Sequence, residues 1–124
     1  MMSTSLSLGC VALDCPDPYR LAGFYGRLLG WEVRSGDTPA DDWVTLVNPD
    51  GGADLSFQRD PEYRPSTWPS NELPQMAHLD FDVSDLDAEH ERVLALGARL
   101  LDDGPETFRV YADPDGHPFC LCAC

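Results

Sequence analysis

The sequence predicts an α+β fold built from two βαβββ modules, because the chain repeats itself. A strand-to-helix opening occurs twice. Leu13-Asp14-Cys15-Pro16-Asp17-Pro18 leads into a helical pattern ending Leu28-Leu29-Gly30-Trp31-Glu32-Val33, and Phe81-Asp82-Val83-Ser84-Asp85-Leu86 leads into one ending Leu96-Gly97-Ala98-Arg99-Leu100. A matching turn follows later in each half, Asn48-Pro49-Asp50-Gly51 and Asp113-Pro114-Asp115-Gly116. The offsets between these matches are 68, 67 and 65 residues. Order and spacing are both kept, which indicates two copies of one supersecondary unit.

Each copy reads element by element. Residues 6–14 alternate and are apolar enough for a strand. Asp17 offers a helix N-cap, and Pro18 suits the first helical position, where its missing N–H has no partner to lose. Leu21, Phe24, Tyr25 and Leu28 fall at helical spacing, Phe24 and Trp31 read as core, and Gly30 supplies a left-handed stop. Strands follow at about 31–35, 42–47 and 54–59, separated by turn chemistry at Gly36-Asp37 and Asn48–Gly51. The second copy gives a strand at 76–83, a helix from about 86 to 96, and strands near 98–101, 107–112 and 118–123. The expected organisation is one domain over 1–124, with module one at about 5–60, a connection at about 61–75 and module two at about 76–124. The connection holds Pro61, Pro65, Pro69 and Pro74, a density that prevents regular structure and stiffens the chain. It is either a plain linker or, because it carries Trp68, a lid over a pocket or a dimer contact.

Composition narrows the function. The chain has 124 residues, 43% hydrophobic and 10% aromatic, which is ample for a core and argues against disorder. The formal net charge is −14, so neither a nucleic-acid backbone nor an anionic membrane surface is an expected partner. All 8 basic residues are arginine, which excludes a lysine Schiff base and a lysine-based phosphate loop. No apolar run approaches the roughly 20 residues of a membrane span, and Met1–Gly9 lacks the features of a signal peptide. Cys10, Cys15, Cys120, Cys122 and Cys124 are odd in number and without CxxC spacing, so the expectation is free cysteines in a reducing cytoplasm. No nucleophile elbow or dinucleotide fingerprint is present, and Gly51-Gly52 reads as a turn.

Asp17-Pro18 leading to Phe24-Tyr25 and Leu28–Trp31, the run His78-Leu79-Asp80-Phe81-Asp82-Val83-Ser84-Asp85-Leu86, and Asp113-Pro114-Asp115-Gly116-His117-Pro118-Phe119 together resemble the vicinal oxygen chelate superfamily, the glyoxalase/bleomycin-resistance/dioxygenase fold. The opening at Leu13–Pro18 and the Arg64-Pro65-Ser66-Thr67-Trp68-Pro69 loop look like its glyoxalase-like domain branch. The resemblance implies cupped mixed sheets, a divalent metal in the cup of the enzymes, and a homodimer. Fold alone does not fix function.

Alternation along the strands decides which side chains share the cup face. With Leu79, Phe81 and Val83 under the helices, His78, Asp80 and Asp82 face the cup. The same register turns Cys10, Ala12 and Asp14 inward, and likewise Ser56, Gln58, Cys120 and Cys122. The resemblance carries the metal positions onto Cys10, His78, Cys120 and Ser56, with Gln58 reached by a small shift. Of these, His78 alone is a usual ligand there, and Cys120 stands where a glutamate is usual. That disfavours magnesium, manganese or nickel, whereas a Cys10/His78/Cys120 set suits zinc or another soft ion. Asp14, Asp80 and Asp82 could form a polar patch on the cup floor, and Cys10 or Cys120 beside His78 a nucleophile. His90 reads as a helix-flank residue and His117 as a turn residue. Trp43, Trp68 and Tyr63, with Gln58 and His78, would line a mostly apolar pocket with a few polar groups. The acid excess favours a neutral or cationic ligand over an anionic one. Two functions follow. One is a small-molecule-binding protein with a degenerate metal site, ligand-binding through His78, Asp80, Gln58, Ser56, Trp43, Trp68 and Cys120 and sequestering its ligand as bleomycin-resistance proteins do. The other is a metal-dependent lyase, isomerase or dioxygenase using His78 with Cys10 and Cys120.

Overall fold

The computed structural model describes residues 5–123; Cys124 and residues 1–4 lie outside the described residues. The chain divides into two compact units, residues 1–63 and 64–124.

The first unit runs β1 (Cys10–Cys15), α1 (Pro18–Leu29), β2 (Glu32–Val33), β3 (Trp43–Val47), β4 (Asp54–Arg59). Its sheet has the order β1-β4-β3-β2. β1 joins β4 in parallel, from Cys10↔Asp54 to Cys15↔Arg59, and the β2-β3-β4 pairs are antiparallel. Helix α1 begins where the sequence indicates: the Asp17 carboxylate accepts from Arg20 N at 3.3 Å, and Pro18 opens the helix. It ends at Gly30, whose φ of 73° lies in the left-handed region that favours glycine. The buried stripe Leu21, Ala22, Phe24, Tyr25 and Leu28 packs on β3 and β4. Tyr25 stacks on Phe57 at 5.7 Å with Phe24 edge-on at 4.9 Å, over Val44 and Leu46.

The second unit repeats the plan: β5 (Leu79–Asp82), α2 (Leu86–Leu96), β6 (Arg99–Asp102), β7 (Phe108–Ala112), β8 (Pro118–Cys122), in the order β5-β8-β7-β6. β5 and β8 are parallel, with Asp80 opposite Cys120 and Asp82 opposite Cys122. The α2 cap uses Asp85, which accepts from Ala88 N at 3.1 Å, and the stop is Gly97 at φ 114°. Tyr111 stacks on Phe119 at 5.5 Å, and Phe81 meets Phe119 edge-on at 5.9 Å. Only Leu86 and Val93 of α2 are buried, so this helix packs more thinly than α1. The two Asn/Asp-Pro-Asp-Gly turns also correspond. Asn48 Oδ1 accepts from Asp50 N, and Asp113 Oδ1 accepts from Asp115 N, both at 2.9 Å. Asp113 alone is buried, and it also holds the His117 imidazole at 2.8 Å and His117 N at 3.0 Å.

Three elements are shorter than the sequence suggests, and one is β5, which spans Leu79–Asp82 where 76–83 is expected. β1 starts at Cys10 rather than residue 6, and the strand expected at 31–35 is reduced to Glu32–Val33. The 61–75 segment carries no helix or strand, as its prolines require. It is tied by Thr67, whose N and Oγ1 both donate to Leu73 O and whose Oγ1 accepts from Leu73 N.

Candidate functional site

The polar centre of the second unit follows from two simple rules. Residues two apart in a strand share a face, so His78, immediately before β5, lies beside Asp80. The parallel register then sets Cys120 of β8 next to Asp80. His78 Nε2 and Asp80 Oδ1 are 3.2 Å apart, and one donor atom from each of His78, Asp80 and Cys120 lies within 4.8 Å of the others. The two ends of this group differ in environment. The His78 and Asp80 side chains are 40% and 57% exposed, whereas Cys120 is 8% exposed. Burial pushes the Cys120 thiol up to about 12, with the Asp80 carboxylate adding to the shift as hydrogen-bond acceptor and as negative charge. The thiol is therefore protonated at neutral pH and donates to Asp80. His78 Nε2 faces the same carboxylate at 3.2 Å, within ion-pair distance.

The donor set can be tested against the divalent metal that the fold implies. One imidazole, one carboxylate and one thiol match a zinc-like ion, which takes nitrogen, oxygen and sulfur ligands; magnesium, which seeks an octahedron of oxygen, does not fit. The third member of this group is Asp80. Sequence reasoning names it as a ligand-binding residue and omits it from the metal set. The signal was present in the strand alternation that relates it to His78.

The other sequence-derived candidates are placed as follows. Cys10 opens β1 in the first unit and is half-buried. Ser56 lies on β4, is 1% exposed, and shares a 2.9 Å hydrogen bond with Thr45 Oγ1, so its hydroxyl is already engaged. Trp43 Nε1 donates to the same Thr45 oxygen at 3.1 Å, while its ring is 38% exposed. Gln58 is exposed and stands opposite Trp43 across β3 and β4. Trp68 is half-buried in the second unit, its N donating to Ser66 Oγ at 3.0 Å. None of Cys10, Cys15, Cys120 and Cys122 is in a disulfide. Among the described residues no helix is long and apolar enough to cross a membrane.

Two four-stranded mixed sheets, each with one helix and a parallel first-to-last strand pair, define an α+β protein of the glyoxalase/bleomycin-resistance/dioxygenase fold. The glyoxalase-like domain model matches residues 10–122, and the chain belongs to that family, within the vicinal oxygen chelate superfamily. The chain is similar to a glyoxalase/bleomycin resistance protein/dioxygenase family enzyme from Burkholderia phytofirmans, at TM-score 0.73 and 21% identity over 94% of this chain and 97% of that one. It is also similar to a fosfomycin resistance protein from Mesorhizobium loti, at TM-score 0.68 and 16% identity over 99% and 94% of the two chains. A trypanothione-dependent glyoxalase I from Leishmania major gives TM-score 0.66 and 18% identity over 96% and 87%. At these identities the likeness shows the fold. No curated protein matches the chain.

Proposed function

We propose that this is a small-molecule-binding glyoxalase-like protein that holds its ligand through His78 and Asp80, with Cys120 as a neutral support. The observation that carries the reading is that the Asp80 carboxylate stands between a buried, protonated Cys120 thiol and the exposed His78, whose Nε2 is 3.2 Å away. The protonated thiol supports the Asp80 carboxylate from the buried side and His78 faces it from the exposed side, an arrangement that needs no metal. The exposed His78 edge then offers a polar contact to a hydroxyl or amine on the ligand. A net charge of −14 supports a neutral or cationic ligand over an anionic one. In the first unit, considered by itself, Trp43 and Gln58 pair across β3 and β4 and offer an aromatic face and an amide suited to ligand contact. Ser56 acts through Thr45, and Trp68 is a contact from the proline-rich loop. Sequestration of the kind seen in bleomycin-resistance proteins fits such a site. We place the protein in the cytoplasm, supported by described cysteines that form no disulfide, and infer a homodimer from the resemblance.

The convergence of three donor atoms within 4.8 Å favours a second reading, a metal-dependent lyase, isomerase or dioxygenase. Here His78, Asp80 and Cys120 would hold a zinc-like ion. Such an ion supplies a Lewis acid for a substrate oxygen.

Metal analysis of freshly purified protein, combined with a thermal-shift screen of neutral, cationic and anionic small molecules with and without EDTA, separates the two. The first reading expects stabilisation by a neutral or cationic compound that survives EDTA and disappears in His78→Ala. Stoichiometric zinc that is lost in both His78→Ala and Cys120→Ser, with ligand response abolished by EDTA, establishes the second. A screen whose responses are all independent of His78 refutes both.

A further inference from the structure

The second unit contains a cavity of about 460 Å³ bounded by α2, β6, the turn after β6, and β7. It exists because α2 covers its sheet incompletely. Where a third apolar side chain would be expected to cover Tyr111, α2 presents His90, whose Nδ1 meets the Tyr111 hydroxyl at 2.7 Å. That bond occupies one ring nitrogen and leaves the Nε2 edge to meet a ligand. Beside it, Arg109 Nη2 meets Asp87 Oδ1 at 2.8 Å. Asp87, Arg109 and His90 thus form a polar wall of the cavity, with the fully buried Tyr111 holding His90 from behind. The opposite rim is the turn carrying Asp103 and Glu106, and Leu100 and Pro105 supply an apolar side. This rim is well defined: Asp102 Oδ1 accepts from Gly104 N at 2.8 Å, and Gly104 takes φ +50° where a Cβ would stand 2.8 Å from Phe108 O.

We propose that this cavity is a second ligand site, taking a small organic cation, an amine or guanidinium compound with a short apolar body. The volume falls within the roughly 300–1,000 Å³ range of small-molecule sites. The lining sets three carboxylates, Asp87, Asp103 and Glu106, against one guanidinium already engaged by Asp87, so the local field attracts positive charge. A bare metal ion is the poorer occupant. Among the described residues, three such donor atoms converge to ligating distance at His78, Asp80 and Cys120 and at no other place. A polyatomic cation can instead reach separated carboxylates while resting its carbon chain on Leu100 and Pro105.

The test is an amide-shift NMR titration of the full isotope-labelled chain with agmatine, which carries a guanidinium and an ammonium on a butyl chain, at about 0.15 M salt to suppress loose charge pairing. Succinate serves as the anionic control. The expected result is a saturable response centred on residues 87–90 and 103–109, none with succinate, and affinity about tenfold weaker in the surface variant Asp103→Asn/Glu106→Gln, the order expected for losing two solvent-screened charge contacts. His90→Gln, which keeps a polar side chain at that position, is expected to weaken binding as well. Absence of saturation, equal affinity in the double variant, or a response centred on His78 and Asp80 overturns the proposal.

Discussion

Asp80→Asn tests the polar centre at its most distinctive point, the ionisation of Cys120. An ordinary cysteine thiol here has a reference value of 9.0, and burial and Asp80 raise Cys120 to about 12. At pH 8, a group ionising at 9.0 is about one-tenth thiolate, and one at 12 is about one ten-thousandth, so alkylation should be slowed roughly a thousandfold relative to an unperturbed thiol. Burial is the largest cause and survives the substitution; the hydrogen bond and charge of Asp80 do not. The variant should therefore label several-fold faster than the parent and still much slower than a free thiol. The assay is iodoacetamide labelling of the native protein between pH 7 and 11, read at the Cys120 peptide by mass spectrometry. Because the neutral thiol is the form that folding favours, the associated stability is fully present below pH 9.0 and declines above it as the unfolded chain ionises and the folded site does not. A Cys120 labelling midpoint near 9 in the parent, or identical pH profiles for parent and variant, would refute the reasoning.

Other outcomes follow from the packing. Asp17→Ala and Asp85→Ala each remove an equivalent N-cap bond, and each should cost about 1 kcal/mol in urea unfolding; a loss in one with none in the other would contradict their equivalence. Asp113→Ala strips acceptors from Asp115 N, His117 N and the His117 ring and should cost at least about 2 kcal/mol, whereas His117→Ala should cost less because both backbone bonds remain. The reverse order of unfolding midpoints would show that the imidazole, not the turn, is the main contributor. Phe57→Ala deletes a fully buried ring stacked on Tyr25 and should lower stability by about 3–5 kcal/mol, checked by the same unfolding curves.

The helices and turns were legible because their determinants are local. Asp17 with Gly30, and Asp85 with Gly97, mark helix ends through contacts within four residues. Strand ends were less legible because they depend on partners. Leu6 and Leu8 continue the alternation of β1, yet they are 85% and 70% exposed, and the ladder with β4 begins only at Cys10↔Asp54. β2 stops at Val33 although the pairing does not end abruptly, since Arg34 N still donates to Thr45 O before the chain turns at Gly36. At the candidate site, His78 and Asp80 could be grouped by alternation and Cys120 by the parallel pairing of the repeat. The raised Cys120 thiol could not be read from sequence, because it depends on burial. Nor could the engagement of Ser56 by Thr45, which requires the β3/β4 register. His90 with Tyr111 was invisible for the same reason: the two are 21 residues apart, and only the placement of α2 over β7 joins them.

The strand order has a consequence for how each half is assembled. In both units the strand made last, β4 or β8, is inserted between the first strand and the local hairpins, so it is interior to its sheet. During synthesis β5 has no neighbour in its own sheet, and the Asp80–Cys120 pair does not exist, until residues 118–122 have emerged about forty residues later. The slow event in forming either half is thus closure of this long parallel loop, not formation of the helix inside it. His78 and Asp80 can meet through local sequence alone, but their buried partner arrives only with the strand that completes the sheet.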